Sequence, residues 1–219
     1  MKKAVICFTR VPKPGLTKTR LLGLLSGQQC ARLHWAFLRD LAEVYSRIDA
    51  DLFISHTPAP DWESLKAVFP RASGFFPQEG AGLGERMHNA IARVLSLGYD
   101  SVVLTGADLP RMTQAHLQTA FEALKSADVA IGPTPDGGYY LIGMKQPHPE
   151  VFQVSNYGSA SVYESTLHAV SSAGLSHRTA LCCGDVDTPG DLRALYREIA
   201  PESATGQCIA EFIKEGIAL

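Results

Sequence analysis

Short apolar runs that alternate with longer stretches of helical period are the feature that most narrows what this chain can fold into. The runs Ala4–Phe8, Leu52–Ser55, Gly74–Phe76, Val102–Thr105, Val129–Gly132 and Tyr139–Gly143 read as strands. The run VVLT at Val102–Thr105 is apolar over most of its length, as a strand covered on both faces should be. Between the runs, apolar residues recur at helical spacing. Leu33, Phe37, Leu41 and Val44 follow a capping-box pattern at Ser26 and Gln29. Leu83, Met87, Ile91 and Val94 share one helical face. Thr113 precedes a helix carrying Leu117, Phe121 and Leu124, and Thr188-Pro189 with Asp191 makes a well-capped helix start. Such alternation predicts an α/β fold, a mostly parallel sheet with helices on both faces. The two strands around Asp136-Gly137-Gly138 follow each other too closely for a helical crossover, so an antiparallel excursion is expected there. With 219 residues and no linker or repeat, the chain reads as one domain, 1–219.

In sheets of this kind ligands bind beyond the carboxyl ends of the strands, which directs attention to a few loops. The loop after the first strand, Thr9–Leu21, carries Arg10, Lys13, Lys18 and Arg20, with Arg32 further on. Gly15 and two prolines shape this loop, and Thr17 is placed to cap a following turn. A basic loop leading into a helix start suits a phosphate chain. It is neither a Walker A loop nor GxGxxG, and a proline-stiffened surface loop with solvated cations is the competing reading. The fourth strand ends in TGADLP, where Asp108 is placed either for Mg²⁺ or for a turn before Pro110. Asp185 and Asp187 precede the Thr188 helix. Capping does not require Asp187, which makes it the preferred second metal contact. Asp136-Gly137-Gly138 is a tight-turn signature that could also bring backbone close to a ligand. The following Tyr139-Tyr140 reads as strand packing or as stacking on a base or sugar. Gln78–Met87 holds three glycines ahead of a helix, either a nucleotide-base loop containing Gln78, Gly84 and Arg86 or a flexible lead-in.

Composition excludes more than it assigns. A formal net charge of −2 gives no reason to expect nucleic acid or a membrane surface as partner. The five cysteines lack CxxC spacing, and the seven histidines lack HxxxH or HExxH spacing, so neither type is assigned to a metal or to catalysis. The apolar stretch after Met1 breaks at Thr9 and Arg10, and no later stretch could span a bilayer; a cytoplasmic protein is expected.

Taken together, KPGLTKTRL, GLGERM, GADLP, GPTPDGGYYLIG and DVDTPGDL resemble the ordered motifs of bacterial glycosyltransferase-like proteins labelled radical-SAM/selenodomain-associated transferase. These are also named in connection with arsenosugar biosynthesis. The resemblance covers roughly residues 3 to 197. That family is similar in turn to guanylyltransferases of molybdenum-cofactor and deazaflavin-cofactor assembly. All share the GT-A, nucleotide-diphospho-sugar transferase fold, a Rossmann-like sheet.

The resemblance implies that Lys13, Lys18 and Arg20, with Arg10 and Gly15, face nucleotide phosphates. It implies that Asp108 and Asp187 hold Mg²⁺ or Mn²⁺, and that Asp136, Gly137 and Gly138 line the acceptor side, where Tyr139 is also expected. Asp136 and Lys18 are the expected catalytic pair. Two departures stand out: Gly82 replaces an acid before Leu-Gly-Glu-Arg, and Tyr157 replaces a tryptophan. The expected reaction is metal-dependent glycosyl transfer from a nucleotide diphosphate sugar to a small-molecule acceptor. The alternatives are nucleotidyl transfer from a nucleoside triphosphate with release of pyrophosphate, and nucleotide binding without catalysis.

Overall fold

A computed structural model describes all 219 residues. Seven strands form one sheet in the order β3-β2-β1-β4-β6-β5-β7. They are β1 (Lys3–Thr9), β2 (Asp51–His56), β3 (Gly74–Pro77), β4 (Ser101–Thr105), β5 (Val129–Pro133), β6 (Tyr139–Met144) and β7 (His177–Thr179). β1 runs parallel to β2 and β4, β2 parallel to β3, and β5 parallel to β7. β6 alone is antiparallel, paired with β4 on one side and β5 on the other. The expected excursion at Asp136-Gly137-Gly138 is therefore a β5–β6 hairpin whose loop opens at the carboxyl edge of the parallel strands.

All five residues of β4 are buried, which an interior strand covered on both faces requires. On one face α1 (Gly27–Ser46), the single turn α2 (Leu65–Val68) and α4 (Gln114–Ala123) close a core around Val5, Leu41, Ile54, Val103 and Leu141. On the other, α3 (Leu83–Leu95) and α5 (Val162–Ser172) cover Ile6, Ile91, Leu104, Ile131 and Ile142. A third cluster lies behind α1. There α6 (Pro189–Tyr196) and α7 (Ala204–Lys214) pack Val186, Leu192, Ile209 and Phe212 against Leu33 and Phe37.

The helix starts follow the sequence closely. Ser26 and Gln29 exchange both bonds of a capping box, as do Thr188 and Asp191. Thr113 sits at the N-cap of α4 and its amide donates to His116 Nδ1.

Other expectations are corrected. Thr17 caps no helix; its hydroxyl accepts the Lys13 amide at 2.9 Å and closes the loop on itself. Arg32 does not join the basic loop. It lies on α1 and pairs with Glu211 at 2.5 Å and Glu215 at 2.7 Å on the α7 side. β7 was not expected from the sequence. Its three residues are all exposed and polar, so they carry no apolar run to read.

Candidate functional site

Three loops meet at the carboxyl edge where β1 and β4 lie side by side: Arg10–Leu25 after β1, Gly106–Met112 after β4, and Ala180–Thr188 after β7. The third is fastened to the second by a backbone bond from Val186 N–H to the Asp108 carbonyl, 3.1 Å. It is fastened to the β5 end by one from Cys183 N–H to the Pro133 carbonyl, 3.2 Å. These bonds place Asp187 beside Asp108, although the two are 79 positions apart in sequence.

Lys18 sits between them. Its ammonium lies 2.6 Å from Asp108 Oδ1 and 2.9 Å from Asp187 Oδ1, and it donates to the Val186 carbonyl at 2.6 Å. Its side chain is only 2% exposed. Lys18 is also the one non-glycine residue with positive φ, 53°. A left-handed backbone costs about 1–2 kcal/mol for a residue with a Cβ, so packing and charge hold it there.

His34, buried on α1, extends the line. Its Nδ1 is 3.0 Å from Asp108 Oδ1, and its Nε2 is 3.4 Å from Thr9 Oγ1. Arg20 Nη1 reaches Asp187 Oδ2 at 3.4 Å while remaining 70% exposed. Thr9, His34, Asp108, Lys18, Asp187 and Arg20 thus form a continuous polar chain across the edge.

Electrostatics follow from this order. Burial alone would raise the Asp108 carboxyl, but the charges of Lys18 and His34 overcome it and hold the group well below the usual carboxylate range. Asp108 Oδ1 is buried, yet the side chain is 40% exposed, so the carboxylate presents its other side to the cleft. Asp185 behaves oppositely. Burial first, then the charges of Asp187 and Asp136, push its carboxyl up to about 6.

Two cavities flank the chain and share Arg20, Asp108 and Asp187. The smaller, about 170 Å³, is lined by Arg10, Leu16 to Arg20 and His34. The larger, about 320 Å³, runs under Phe8, Leu83, Met87, Tyr139, Tyr157 and Val162, and includes Asp136, Gly138 and Asp185. The sequence-expected residues divide between these cavities and the scaffold around them.

Lys18, Arg20 and Arg10 line the small cavity. Lys13 turns away to pair with Asp61 at 2.9 Å. Gly15, at φ 75°, packs against Gly27, where a Cβ would stand 2.8 Å from the Gly15 nitrogen. Gln78 is buried, and its amide donates to the carbonyls of Thr9 and Ser55, tying the ends of β1 and β2 together. Arg86 Nε donates to the Gly80 carbonyl at 2.9 Å and braces the glycine loop. Gly84 lies beneath the Tyr157 ring, where a Cβ would be 2.7 Å from its hydroxyl. On the acceptor side, Asp136 Oδ1 accepts from Thr134 Oγ1 and from Gly138 N–H, which fixes the hairpin turn. Gly137, at φ 87°, touches Ala160 so closely that a Cβ would overlap its carbonyl.

His34 was missed by the sequence reading. It had no ligand spacing, and the one signal available was a polar residue on the apolar face of α1. The donor set at Asp108 and Asp187 is all oxygen, which suits a hard cation such as Mg²⁺. No three acidic, histidine or cysteine side chains form a ready-made cage, so such an ion would complete its shell with phosphate oxygens and water. Lys18 takes Oδ1 of both carboxylates, so the residues fit such an ion only through their second oxygens.

This mostly parallel sheet with its one antiparallel strand is of the nucleotide-diphospho-sugar transferase fold. The chain belongs to the family described as uncharacterized proteins conserved in bacteria (DUF2064), which it matches over residues 40–159. It is similar to the crystal structure of a candidate nucleotide-diphospho-sugar transferase from Desulfovibrio desulfuricans G20. The two are 35% identical with a TM-score of 0.89, covering 98% of this chain and 96% of that one. A cytidylyltransferase from Leptospira borgpetersenii shares the fold at 12% identity and a TM-score of 0.58, covering 99% of this chain and 95% of its own. Among curated proteins, the phosphoenolpyruvate guanylyltransferase of Sphaerobacter thermophilus is 25% identical over 197 residues, 87% of this chain and 91% of that protein. No helix is long and apolar enough to cross a membrane.

Proposed function

We propose that the protein is a glycosyltransferase-like enzyme that moves a sugar from a nucleotide diphosphate to a small-molecule acceptor. One observation carries this reading: a cationic cavity and an aromatic, acidic cavity meet at Asp108 and Asp187. The small cavity suits the diphosphate and the large one suits what receives the sugar. The radical-SAM/selenodomain-associated subfamily resemblance is part of the same proposal, as are a nucleotide donor and a cytoplasmic setting.

Arg20 and Arg10 then face the diphosphate, while Lys18, its three donors taken by Asp108, Asp187 and the Val186 carbonyl, holds the two carboxylates in place beneath it. Charge-assisted bonds to it strengthen as the bond between the sugar and the β-phosphate oxygen breaks and charge collects on the leaving group. His34, held between Thr9 and Asp108, keeps the Asp108 carboxylate aimed at the cleft. Asp108 and Asp187 would hold a Mg²⁺ or Mn²⁺ ion, which when bound neutralises phosphate charge as a Lewis acid. On the other side, the acceptor hydroxyl oxygen attacks the anomeric carbon. Asp136, whose Oδ1 is occupied by its turn, takes the hydroxyl proton on its remaining oxygen.

A second reading is nucleotidyl transfer, in which an acceptor phosphate attacks the α-phosphorus of a nucleoside triphosphate and pyrophosphate leaves. The similarity to the phosphoenolpyruvate guanylyltransferase and the number of cations on the β1 loop favour it.

Thermal-shift titration with nucleoside diphosphates, nucleotide sugars and triphosphates, each with and without Mg²⁺, selects the donor. Product analysis then decides the chemistry. Release of nucleoside diphosphate from a nucleotide sugar supports glycosyl transfer. Pyrophosphate release replaces it with the second reading, and binding without turnover leaves a nucleotide-binding protein.

A further inference from the structure

The larger cavity is specific about what it could hold. Eleven of its 21 lining residues are hydrophobic, and aromatic rings from Phe8, Tyr139 and Tyr157 form much of its wall. Four aspartates line it, Asp108, Asp136, Asp185 and Asp187, with the guanidinium of Arg20; Lys18 pairs with Asp108 and Asp187, while Asp136 and Asp185 have no salt-bridge partner. That guanidinium is turned outward and already faces Asp187. Lys18 and Arg10 line the other cavity, and the Lys18 ammonium meets this one only through its pairs with Asp108 and Asp187. A volume of about 320 Å³ is at the lower end of the small-ligand range, room for one or two rings.

We infer that the acceptor is an uncharged hydroxy compound with an apolar or aromatic body, and that the site rejects acceptors bearing phosphate or carboxylate. This deepens the glycosyl-transfer reading and rests on it for assigning this cavity to the acceptor. A phosphate or carboxylate entering the cavity would meet Asp136 and Asp185, two carboxylates with no salt-bridge partner, whereas Asp108 and Asp187 are already paired with Lys18 and Arg20. An alcohol brings apolar surface to the ring wall and one hydroxyl to the polar edge. Ions bound at Asp108 and Asp187 would leave Asp136 and Asp185 still facing the acceptor. By the same charge argument phosphoenolpyruvate, which is named in the guanylyltransferase relative, is not an acceptor of this protein.

The test is ligand-observed saturation-transfer NMR on the full chain with Mg²⁺ present. The probes are benzyl alcohol, benzyl phosphate and phosphoenolpyruvate. Donor binding is followed separately in the same samples by nucleotide thermal shift, so failure of the donor reading is seen apart from failure of this one.

Benzyl alcohol should show transfer, and the signal should be lost in Val162→Trp, which fills the cavity. Leu83→Trp, at the exposed rim, is the second variant should the buried change unfold the chain; it should weaken the signal in the same direction. Neither anion should show transfer that depends on these variants. The double change Asp136→Asn with Asp185→Asn should then admit benzyl phosphate, binding it about tenfold more tightly than the unaltered protein does. The inference is overturned by anion transfer that Val162→Trp abolishes, by an alcohol signal that neither tryptophan disturbs, or by no transfer from benzyl alcohol at all.

Discussion

The two halves of the cleft use charge in opposite ways. In the half built by the β1 loop, a buried lysine and two exposed arginines surround a small polar space, and each carboxylate there is matched by a cation. In the half built by the β5–β6 hairpin and the loop after β7, carboxylates outnumber cations and the walls are aromatic. Asp108 and Asp185 show the difference directly. Both are acids at the same sheet edge, but Lys18 and His34 drive one well below the ordinary range, while burial and like charges lift the other to about 6. Which element supplies the neighbour decides the chemistry of an aspartate here, more than the aspartate itself does.

The largest effect expected from breaking this division is at Lys18. Lys18→Met removes the cation shared by Asp108 and Asp187, and turnover should fall about a hundred- to a thousandfold. Steady-state kinetics with the donor identified by thermal shift checks this; near-normal turnover would remove Lys18 from the phosphate half. Asp108→Asn should lower metal-dependent turnover by a comparable factor in a protein that remains folded by circular dichroism, and full activity would remove its metal role.

On the opposite side, Gly137→Ala should destabilise the fold by about 2–4 kcal/mol, since it combines a strained φ with overlap on the Ala160 carbonyl. Denaturant unfolding measures the loss. A neutral result would mean that the hairpin turn is not fixed against the 156–161 loop.

A smaller change is expected at the helix that follows the shared loop. Asp191→Ala removes the capping box of α6 and should cost about 1 kcal/mol. Burial alone would raise the Asp191 carboxyl, but bonds from Thr188 and the Asp187 amide lower it. A carboxyl depressed on folding contributes stability above its ordinary range and loses it as pH falls through that range. The penalty of Asp191→Ala should therefore be present at pH 7 and shrink as pH falls below about 4. A pH-independent penalty would contradict this assignment.

The smallest effect belongs to a cation that sequence proximity grouped with the phosphate loop. Arg32→Ala breaks exposed pairs with Glu211 and Glu215 and should change stability by less than about 1 kcal/mol, with turnover unchanged. A loss of turnover would place Arg32 back at the cleft.

Much of the fold could be read directly from residue order. Six of the seven strands follow from apolar runs, and the capping patterns at Ser26 and Thr188 mark helix starts to the residue. The antiparallel hairpin follows from the few residues separating two strands around Asp136. These features were legible because they rest on local steric and hydrogen-bonding rules. β7 was not, since an exposed, polar edge strand is defined by its partner rather than by its own residues.

The site was legible only in its chemical types. The residues at the carboxyl edge could be nominated from their loops, and Asp108 and Asp187 were. Their meeting across Lys18 depends on the Val186–Asp108 backbone bond and on β7 returning the chain to that edge. His34 enters because α1 packs its inner face against the same edge, a contact between segments 74 positions apart. Gln78 and Arg86, nominated for a nucleotide, donate to internal carbonyls, contacts that residue order did not indicate.

By itself the sequence determined six of the seven strands, the helix starts at Ser26 and Thr188 and the charge of each loop, because these depend on period, turn chemistry and residue type. The tertiary structure alone decided which cation neutralises which acid, and so how charge is divided between the two halves of the cleft. That choice is one of distances of a few ångströms between residues far apart in the chain, and electrostatic free energy depends on those distances and on the burial that surrounds them.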